Sequence, residues 1–543
     1  MPRTLRTPLV FLVIFAALVL LHITLLDLPY YWDEAGYFIP AARDIYTDAS
    51  FIPHSTLSNA HPPLVMAYLA LAWKLFGFHI AVTRTAMLAV AALALAGLFR
   101  LAERVANARV AGATVVCTAL YPVFFAQSSL AHLDMMVAAL TVWALVLYLP
   151  RDVKRQFGNV EDAPRVGLVE ISSGARRGLC VLLLALAALA KETAVLVPLT
   201  LCGWELLCLI FAKKERLAAL VCIKRRSVWW SLSLLAACVP LALWFAYHHA
   251  RTGYTFGNPE YFRYNVGSTL NLTRMIDTGW RRLGHVTYHM NLWVLTVAGL
   301  AAMLLKPRRV GALKSDDTLK SDDALKLDNS DNTLKPSDGG RVRGRIAVPV
   351  QLLFAALILA HVVALSVVGG AVLARYMLPV LPLVILIWVS TLWRRVPAWT
   401  LAVALVCAAF AYRSEVNPPY SFPWEENLAY RDFIVLHRDA AHFLEQNYAG
   451  ARVLTTWPAS DELRNPYYGY TSRPLRVFAV ENFKRETLEQ AAQNKSDYDA
   501  ALLYTTHGGL EFEDALNVLG GRVVFREERK GQWIAVVEVS SEQ

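Results

Sequence analysis

Long apolar stretches recur along most of the chain and are separated by short polar or charged segments. A membrane-crossing helix needs roughly 20 predominantly apolar residues. The stretches that predict such helices are 9–26, 81–101, 110–125, 135–149, 178–190, 193–211, 228–247, 288–305, 346–368, 377–393 and 400–412. The pattern therefore predicts a polytopic α-helical membrane protein with about eleven transmembrane helices.

Two segments interrupt this pattern within 1–412, the predicted membrane domain. Residues 27–78 form a first outer loop, and its amphipathic stretch 64–78 predicts a helix that lies in the membrane interface. Residues 306–345 contain Leu-Lys-Ser-Asp-Asp twice, are polar and lack aromatic residues. This composition predicts a disordered cytoplasmic loop.

The tail at 413–543 has the composition of a soluble protein. Its strand-like runs are 452–455, 477–480, 500–504, 522–525 and 533–539, and helical segments alternate with the early ones. This alternation predicts a C-terminal soluble α/β domain. The tail contains no cysteine, and the seven cysteines of the chain lie mainly in apolar stretches without metal-ligand spacing, so no disulfide framework is expected.

Clusters of lysine and arginine between the apolar stretches set the predicted orientation. Arg3 and Arg6 precede the first helix, so the N-terminus is expected in the cytoplasm. Alternation of the spans then puts the α/β domain outside the cytoplasm, in a multi-pass protein of the inner (plasma) membrane. The net charge of +10 reflects these topology signals and does not indicate nucleic-acid binding. A hydrophobic content of 56% with only 18% charged residues excludes an ordinary soluble enzyme.

Charged and polar residues at the ends of apolar stretches gather on one predicted face of the membrane. They are Asp33, Glu34, His61, Asp134, Lys191 and Arg375. Acidic residues close to hydrocarbon are costly and usually have a partner or a function. Each residue alone also has an ordinary explanation, such as a helix-end marker, a cap, a snorkelling lysine paired with Glu192 or an interfacial anchor. Their position on a common side favours one shared cavity.

The order of these motifs resembles the GT-C class of multi-spanning glycosyltransferases. The closest subgroups are the protein O-mannosyltransferases, the lipid A aminoarabinose transferases and their bacterial relatives. The matching features are Asp33-Glu34, His61-Pro62-Pro63-Leu64, Trp73-Lys74-Leu75-Phe76-Gly77, Thr83-Arg84, residues 129–134, Lys191 and Arg375-Tyr376-Met377-Leu378-Pro379. The resemblance covers roughly the first 200 residues and then the Arg375-Tyr376 motif.

The resemblance implies transfer of a sugar from a polyprenyl-phosphate donor to a hydroxyl of a lipid, glycan or protein acceptor on the outer side, with inversion. Asp33 is the expected general base, and Glu34 would orient Asp33 or bind the acceptor. Lys191 and Arg375 would stabilise the leaving phosphate. His61, Asp134 and Tyr376 complete the expected substrate-binding set.

A divalent cation is the only cofactor that the resemblance leaves open. Asp134 is expected either to bind sugar hydroxyls or to hold such a cation together with Asp33, since hard cations prefer carboxylate oxygens. Some lipid A relatives carry an acidic residue and a lysine just before the Pro-Pro pair, where this chain has Ala60 and His61. This departure weakens the case for aminoarabinose as the sugar.

Two other kinds of protein remain open from the residues themselves. A transporter or flippase also needs charges within the membrane, but it predicts paired inverted repeats, which the sequence lacks. A non-catalytic membrane scaffold is the second alternative, and its charged residues would be dispensable.

Overall fold

A computed structural model of the chain describes residues 6–150, 172–211, 227–308, 346–416 and 425–539. Of the predicted loop at 306–345, all but residues 306–308 lie outside the described residues. The first 17 helices are α1 Arg6–Leu21, α2 Ile39–Asp48, α3 Leu64–Phe76, α4 Ile80–Val105, α5 Ala108–Leu120, α6 Pro122–Gln127, α7 Leu133–Tyr148, α8 Ser173–Ala190, α9 Leu196–Phe211, α10 Val228–Leu235, α11 Val239–Thr252, α12 Pro259–Phe262, α13 Leu272–Thr287, α14 Leu292–Met303, α15 Val348–Val367, α16 Leu381–Arg395 and α17 Trp399–Glu415, counted within the described residues.

Six helical segments of the described chain are long and apolar enough to cross a membrane. They are Ile80–Val105, Ser173–Ala190, Glu192–Phe211, Val228–Thr252, Leu272–Met303 and Val348–Val367. Four shorter apolar helices accompany them, at Thr7–Leu21, Leu64–Phe76, Ala108–Leu120 and Leu133–Tyr148. The protein is therefore a helical membrane protein, as predicted, whereas the count of about eleven spans stays a prediction.

One predicted span is divided, and the sequence gives the reason. The stretch 110–125 forms α5 and α6, which meet at Tyr121 with an extended backbone. Pro122 occupies the first position of α6, where a missing N–H is tolerated. The chain thereby changes direction just before the polar segment that leads into α7.

The centre of the helical region is α7, which packs between α4 and α8, while α1 and α5 flank α4. Nearly all of α7 is buried, and apart from Asp134 and Thr141 its residues are apolar on every side. Helices that are hydrophobic all round are buried in large cores or in membranes. The polar residues that precede α7 are consequently fixed in the middle of the protein.

The C-terminal part of the described chain contains a five-stranded mixed sheet with the order β2-β1-β3-β5-β4. Its elements are α18 Ala429–Asn447, β1 Arg452–Thr455, α19 Ala459–Arg464, β2 Arg476–Ala479, α20 Arg485–Gln493, β3 Ala500–Tyr504, α21 Phe512–Leu519, β4 Arg522–Arg529 and β5 Gln532–Glu538. β1 is parallel to β2 and β3, and β5 is antiparallel to β3 and β4. All five predicted strands are present, and β4 extends further than predicted.

This C-terminal region is attached to segment 27–78 beside Asp33. The backbone N–H of Tyr30 donates to the carbonyl of Tyr468 at 3.0 Å, and the Tyr468 hydroxyl donates to the carbonyl of Ala35 at 2.7 Å. Gly469 has a φ of 95°, and a Cβ there would lie 2.5 Å from Ile80 Cδ1. The close approach needs glycine, and it fixes the backbone on both sides of Asp33.

Candidate active site

A cavity of about 1380 Å³ lies between segment 27–78, the start of α7, the turn after α8 and the segment before α16. Six of the seven predicted site residues line it: Asp33, His61, Asp134, Lys191, Arg375 and Tyr376. Residues from distant parts of the chain thus meet in one space, as the sequence predicts for a shared cavity. The seventh residue, Glu34, is not part of the lining.

Arg375 forms the centre of the charged groups in this cavity. It lies on the short 3₁₀ turn Ala374–Met377 and is only 4% exposed. Its Nη2 donates to Asp33 Oδ2, its Nη1 lies 3.2 Å from Glu425 Oε1, and its Nε lies 3.7 Å from Asp134 Oδ2. A guanidinium has several donors in a fixed plane, so one side chain can hold several carboxylates in a defined arrangement.

Lys191 and Asp134 form a second buried ion pair, with Nζ and Oδ1 2.7 Å apart. Lys191 adopts an extended conformation that ends α8, and Asp134 lies in the first turn of α7, where the helix dipole favours negative charge. The ammonium also lies 3.8 Å from the centroid of the Tyr376 ring. Among the described residues, the ion-pair partner of Lys191 is therefore Asp134 and not the neighbouring Glu192.

His61 and Glu192 contribute another wall of the cavity. His61 Nδ1 lies 3.2 Å from Glu192 Oε2, and its Nε2 lies 3.3 Å from the hydroxyl of Tyr261. The proline pair that follows His61 precedes α3, so the imidazole comes from the loop and not from the helix. This arrangement gives the wall hydrogen-bonding groups that suit hydroxyl-bearing molecules.

Glu34 is fully buried beneath the cavity and pairs with Arg84. The two carboxylate oxygens accept from Arg84 at 2.5 and 2.9 Å, and they also accept from the backbone N–H groups of Tyr31 and Ala131. The carboxylate therefore lies outside the cavity lining, and a role in orienting Asp33 stays a prediction. The motif Thr83-Arg84 was visible in the sequence, but its pairing with Glu34 was not.

Glu425 and Glu426 are site residues that the sequence reasoning missed, and His132 was noted only as part of the motif at 129–134, without a role. His132 precedes α7, with Nδ1 3.0 Å from Arg375 Nη1, and Glu426 Oε2 lies 2.8 Å from His289 Nε2. Glu425 and Glu426 line the cavity although they precede α18 in the C-terminal tail. One signal was available, because Trp424-Glu425-Glu426 repeats the pattern of Trp32-Asp33-Glu34.

The environments of these groups set their charges. Burial raises the pKa of Glu425 to about 7 against the opposing attraction of Arg375. For Glu426, burial is outweighed by the hydrogen bond and charge of His289, which lower the pKa to about 2. Burial and the charge of Arg375 hold the pKa of His132 well below its ordinary value, so this imidazole is neutral.

Two groups of side chains were compared as ligands for a divalent cation. The first, the predicted pair of Asp33 and Asp134, does not fit, because Arg375 lies between the two carboxylates and Lys191 already pairs with Asp134. Asp33, His132 and Glu425 place one ligand atom each within 4.8 Å of one another, an acidic and histidine cluster of metal-binding composition. Arg375 contacts all three, so a cation there would displace its guanidinium.

Comparison with known proteins finds a family model that matches part of the chain and solved structures with a similar fold. Residues 60–158 match the model of the family described as dolichyl-phosphate-mannose-protein mannosyltransferase. The crystal structure of ArnT from Cupriavidus metallidurans bound to undecaprenyl phosphate is similar over 98% of both chains, with a TM-score of 0.51 and 15% sequence identity. No curated protein matches the chain.

Two further solved structures are more distant. The Archaeoglobus fulgidus oligosaccharyltransferase in complex with Zn and sulfate has a TM-score of 0.42 and 12% identity, over 88% of this chain and 64% of that one. The arabinofuranosyltransferase AftD from Mycobacteria has a TM-score of 0.40 and 15% identity, over 98% of this chain and 41% of that one. The family model spans His61 and Arg84, and the ArnT match over nearly the whole chain shows that this chain has the fold of the GT-C glycosyltransferases.

Proposed function

We propose that this protein is a glycosyltransferase that moves a sugar from a polyprenyl-phosphate carrier to an acceptor hydroxyl. The observation that carries the proposal is the meeting of Asp33 with Lys191 and Arg375 in one cavity. A carboxylate can take the proton of an attacking hydroxyl, and two cations can stabilise a leaving phosphate. The ArnT structure that contains undecaprenyl phosphate supports a carrier of this chemical class.

Asp33 has the exposure that a general base requires. Its side chain is 37% exposed toward the cavity, whereas Arg375 beside it is buried. The acceptor oxygen attacks the anomeric carbon while Asp33 takes its proton. The bond between that carbon and the phosphate oxygen breaks, and the phosphate leaves with the electron pair. Direct attack from the side opposite the phosphate inverts the anomeric centre.

In this proposal the leaving phosphate lies against one wall of the cavity, which is formed by Lys191, Arg375 and Tyr376. Both cations are buried and are held by carboxylates, so they keep their orientation when the phosphate gains charge. Such fixed cations stabilise a transition state more than solvated ones do, because they need no reorganisation. Asp134 contacts both Lys191 and Arg375. Asp134 and His61 can also form hydrogen bonds with hydroxyls of the sugar or the acceptor.

The membrane arrangement is part of the same proposal. Residues 1–412 form the transmembrane domain with a cytoplasmic N-terminus, and residues 413–543 form an α/β domain outside the cytoplasm. The cavity then opens on the outer side of the inner membrane. A reporter fused after Gln543 is expected to be active only when it is exported, and a reporter that is active only in the cytoplasm would contradict this orientation.

The direct test uses the purified full-length protein and radiolabelled polyprenyl-phosphate sugars. Membrane lipid, glycan and protein fractions serve as acceptors, and the label is followed by mass and chromatography. Transfer of label to one acceptor class supports the proposal. Movement of the intact lipid-linked sugar across a vesicle membrane without transfer would support a flippase and overturn it.

Replacement of the buried lysine gives a binding prediction. Lys191→Gln is expected to weaken binding of polyprenyl phosphate by about tenfold, because a charge-assisted contact to phosphate is lost. The measurement is the dissociation constant of the lipid for the detergent-solubilised protein. Lys484→Gln, an exposed substitution before α20, is the matched control. If Lys191→Gln and the wild type bind polyprenyl phosphate with equal affinity, Lys191 does not contact the phosphate.

A further inference from the structure

The short segment 425–428 brings the C-terminal part of the chain into the reaction cavity. Hydrogen bonds and an ion pair hold this segment in place. The carbonyl of Glu425 accepts from Gln127 Nε2 at 2.8 Å, and Glu426 accepts from the backbone N–H of Ala374 at 3.3 Å and pairs with His289. The N–H of Leu428 donates to the carbonyl of Ser414 at 3.0 Å.

The side-chain carboxylate of Glu425 takes no part in these hydrogen bonds and this ion pair. Within the described residues it forms one ion pair, with Nη1 of Arg375, and the side chain is only 3% exposed. Burying a carboxylate is costly unless a specific partner compensates for it. Since the segment is held by other groups, the position of this charge is better explained by Arg375 than by the fold.

Arg375 has two carboxylate partners on its two terminal nitrogens. Asp33 accepts from Nη2, and Glu425 Oε1 lies 3.2 Å from Nη1 as an ion-pair partner, so the end of the guanidinium lies between two carboxylates. Glu425 also faces His132, Glu426 and Tyr31. With Glu425 removed, Asp33 would be the nearest remaining carboxylate, with Asp134 Oδ2 at 3.7 Å from Nε, and Asp33 would interact more strongly with the guanidinium. The expected base would then be a poorer proton acceptor.

We propose that Glu425 is a positioning residue for sugar transfer, which holds Arg375 in the plane that serves the leaving phosphate and leaves Asp33 able to accept a proton. This role rests on the proposed glycosyltransferase function and adds a residue from the C-terminal tail to its reaction centre. Glu425 acts through Arg375 and does not itself contact the reacting atoms.

The first test compares kcat and KM of full-length variants with a radiolabelled polyprenyl-phosphate sugar. Glu425→Gln is expected to lower kcat by about tenfold to a hundredfold, with the donor KM changed by less than about threefold. Glu425→Asp keeps the charge and is expected to recover part of the loss. Glu415→Gln, an exposed carboxylate at the end of α17, is the matched control with wild-type kcat. Wild-type kcat in Glu425→Gln would overturn the proposal.

A double-mutant cycle with Arg375→Lys tests whether Glu425 acts through Arg375. A lysine cannot be held in a plane by two carboxylates, so Glu425→Gln is expected to change kcat by less than about twofold in that background. If the two substitutions lower kcat by factors that multiply in the double variant, Glu425 acts independently of Arg375, and the positioning role is overturned. A wild type that transfers no sugar would instead refute the proposed function, and the role of Glu425 with it.

Discussion

Asp33→Asn is expected to lower kcat for sugar transfer by about 10²- to 10⁴-fold, the range that a general base contributes. Asparagine has the size and shape of aspartate but does not accept a proton from an attacking hydroxyl. The measurement is the initial rate of label transfer by the purified protein. The fold should tolerate this change, because Asp33 is partly exposed to the cavity and hydrogen bonds from the C-terminal region hold the backbone around it.

Asp48→Asn is the matched control for this substitution. Asp48 ends α2 and has a side chain that is 56% exposed, so the same chemical change there should leave transfer unchanged. The thermal midpoint of both variants should lie close to that of the wild type. A rate for Asp33→Asn within about threefold of wild type would show that another group takes the proton.

The gathering of polar residues in one cavity could be predicted because hydropathy orders the chain across the membrane. Once alternate spans are counted, His61, Asp134 and Lys191 fall on the same side, and side chains at helix ends on one side can meet. Hydropathy does not give the distances between side chains on the same side of the membrane. The pairing of Lys191 with Asp134 rather than with its neighbour Glu192 depends on the extended backbone at Lys191, which the pattern does not encode.

The strands of the C-terminal region could be predicted for a similar reason. β3 is an apolar run that is buried on both faces, and turn residues bound the runs around it. The attachment of this region to segment 27–78 could not be predicted, because it depends on the hydroxyls of Tyr468 and Tyr470. These donate to the carbonyls of Ala35 and Tyr30, which lie 433 and 440 positions earlier in the chain. For Glu425 the repeated Trp-acid-acid pattern was a signal in the sequence, but its pairing with Arg375 is set by tertiary packing and could not be predicted.

Glu34→Gln is expected to destabilise the fold by about 3–5 kcal/mol, because it leaves the buried guanidinium of Arg84 without its charged partner. Both side chains are at most 1% exposed, and Arg84 also donates to the carbonyls of Leu28 and Pro29. The measurement is the thermal midpoint of the solubilised protein, together with its amount in the membrane. Glu486→Gln, an exposed change in α20, should leave both unchanged.

A second substitution separates this structural role from a chemical one. Glu34→Gln combined with Arg84→Met removes both charges, and it is expected to recover part of the lost stability, because an apolar side chain costs less to bury than an unpaired guanidinium. If Glu34 mainly orients the loop that carries Asp33, transfer activity should recover together with stability. A single Glu34→Gln variant with the wild-type thermal midpoint and no transfer would point the other way, since the carboxylate would then act in the reaction itself.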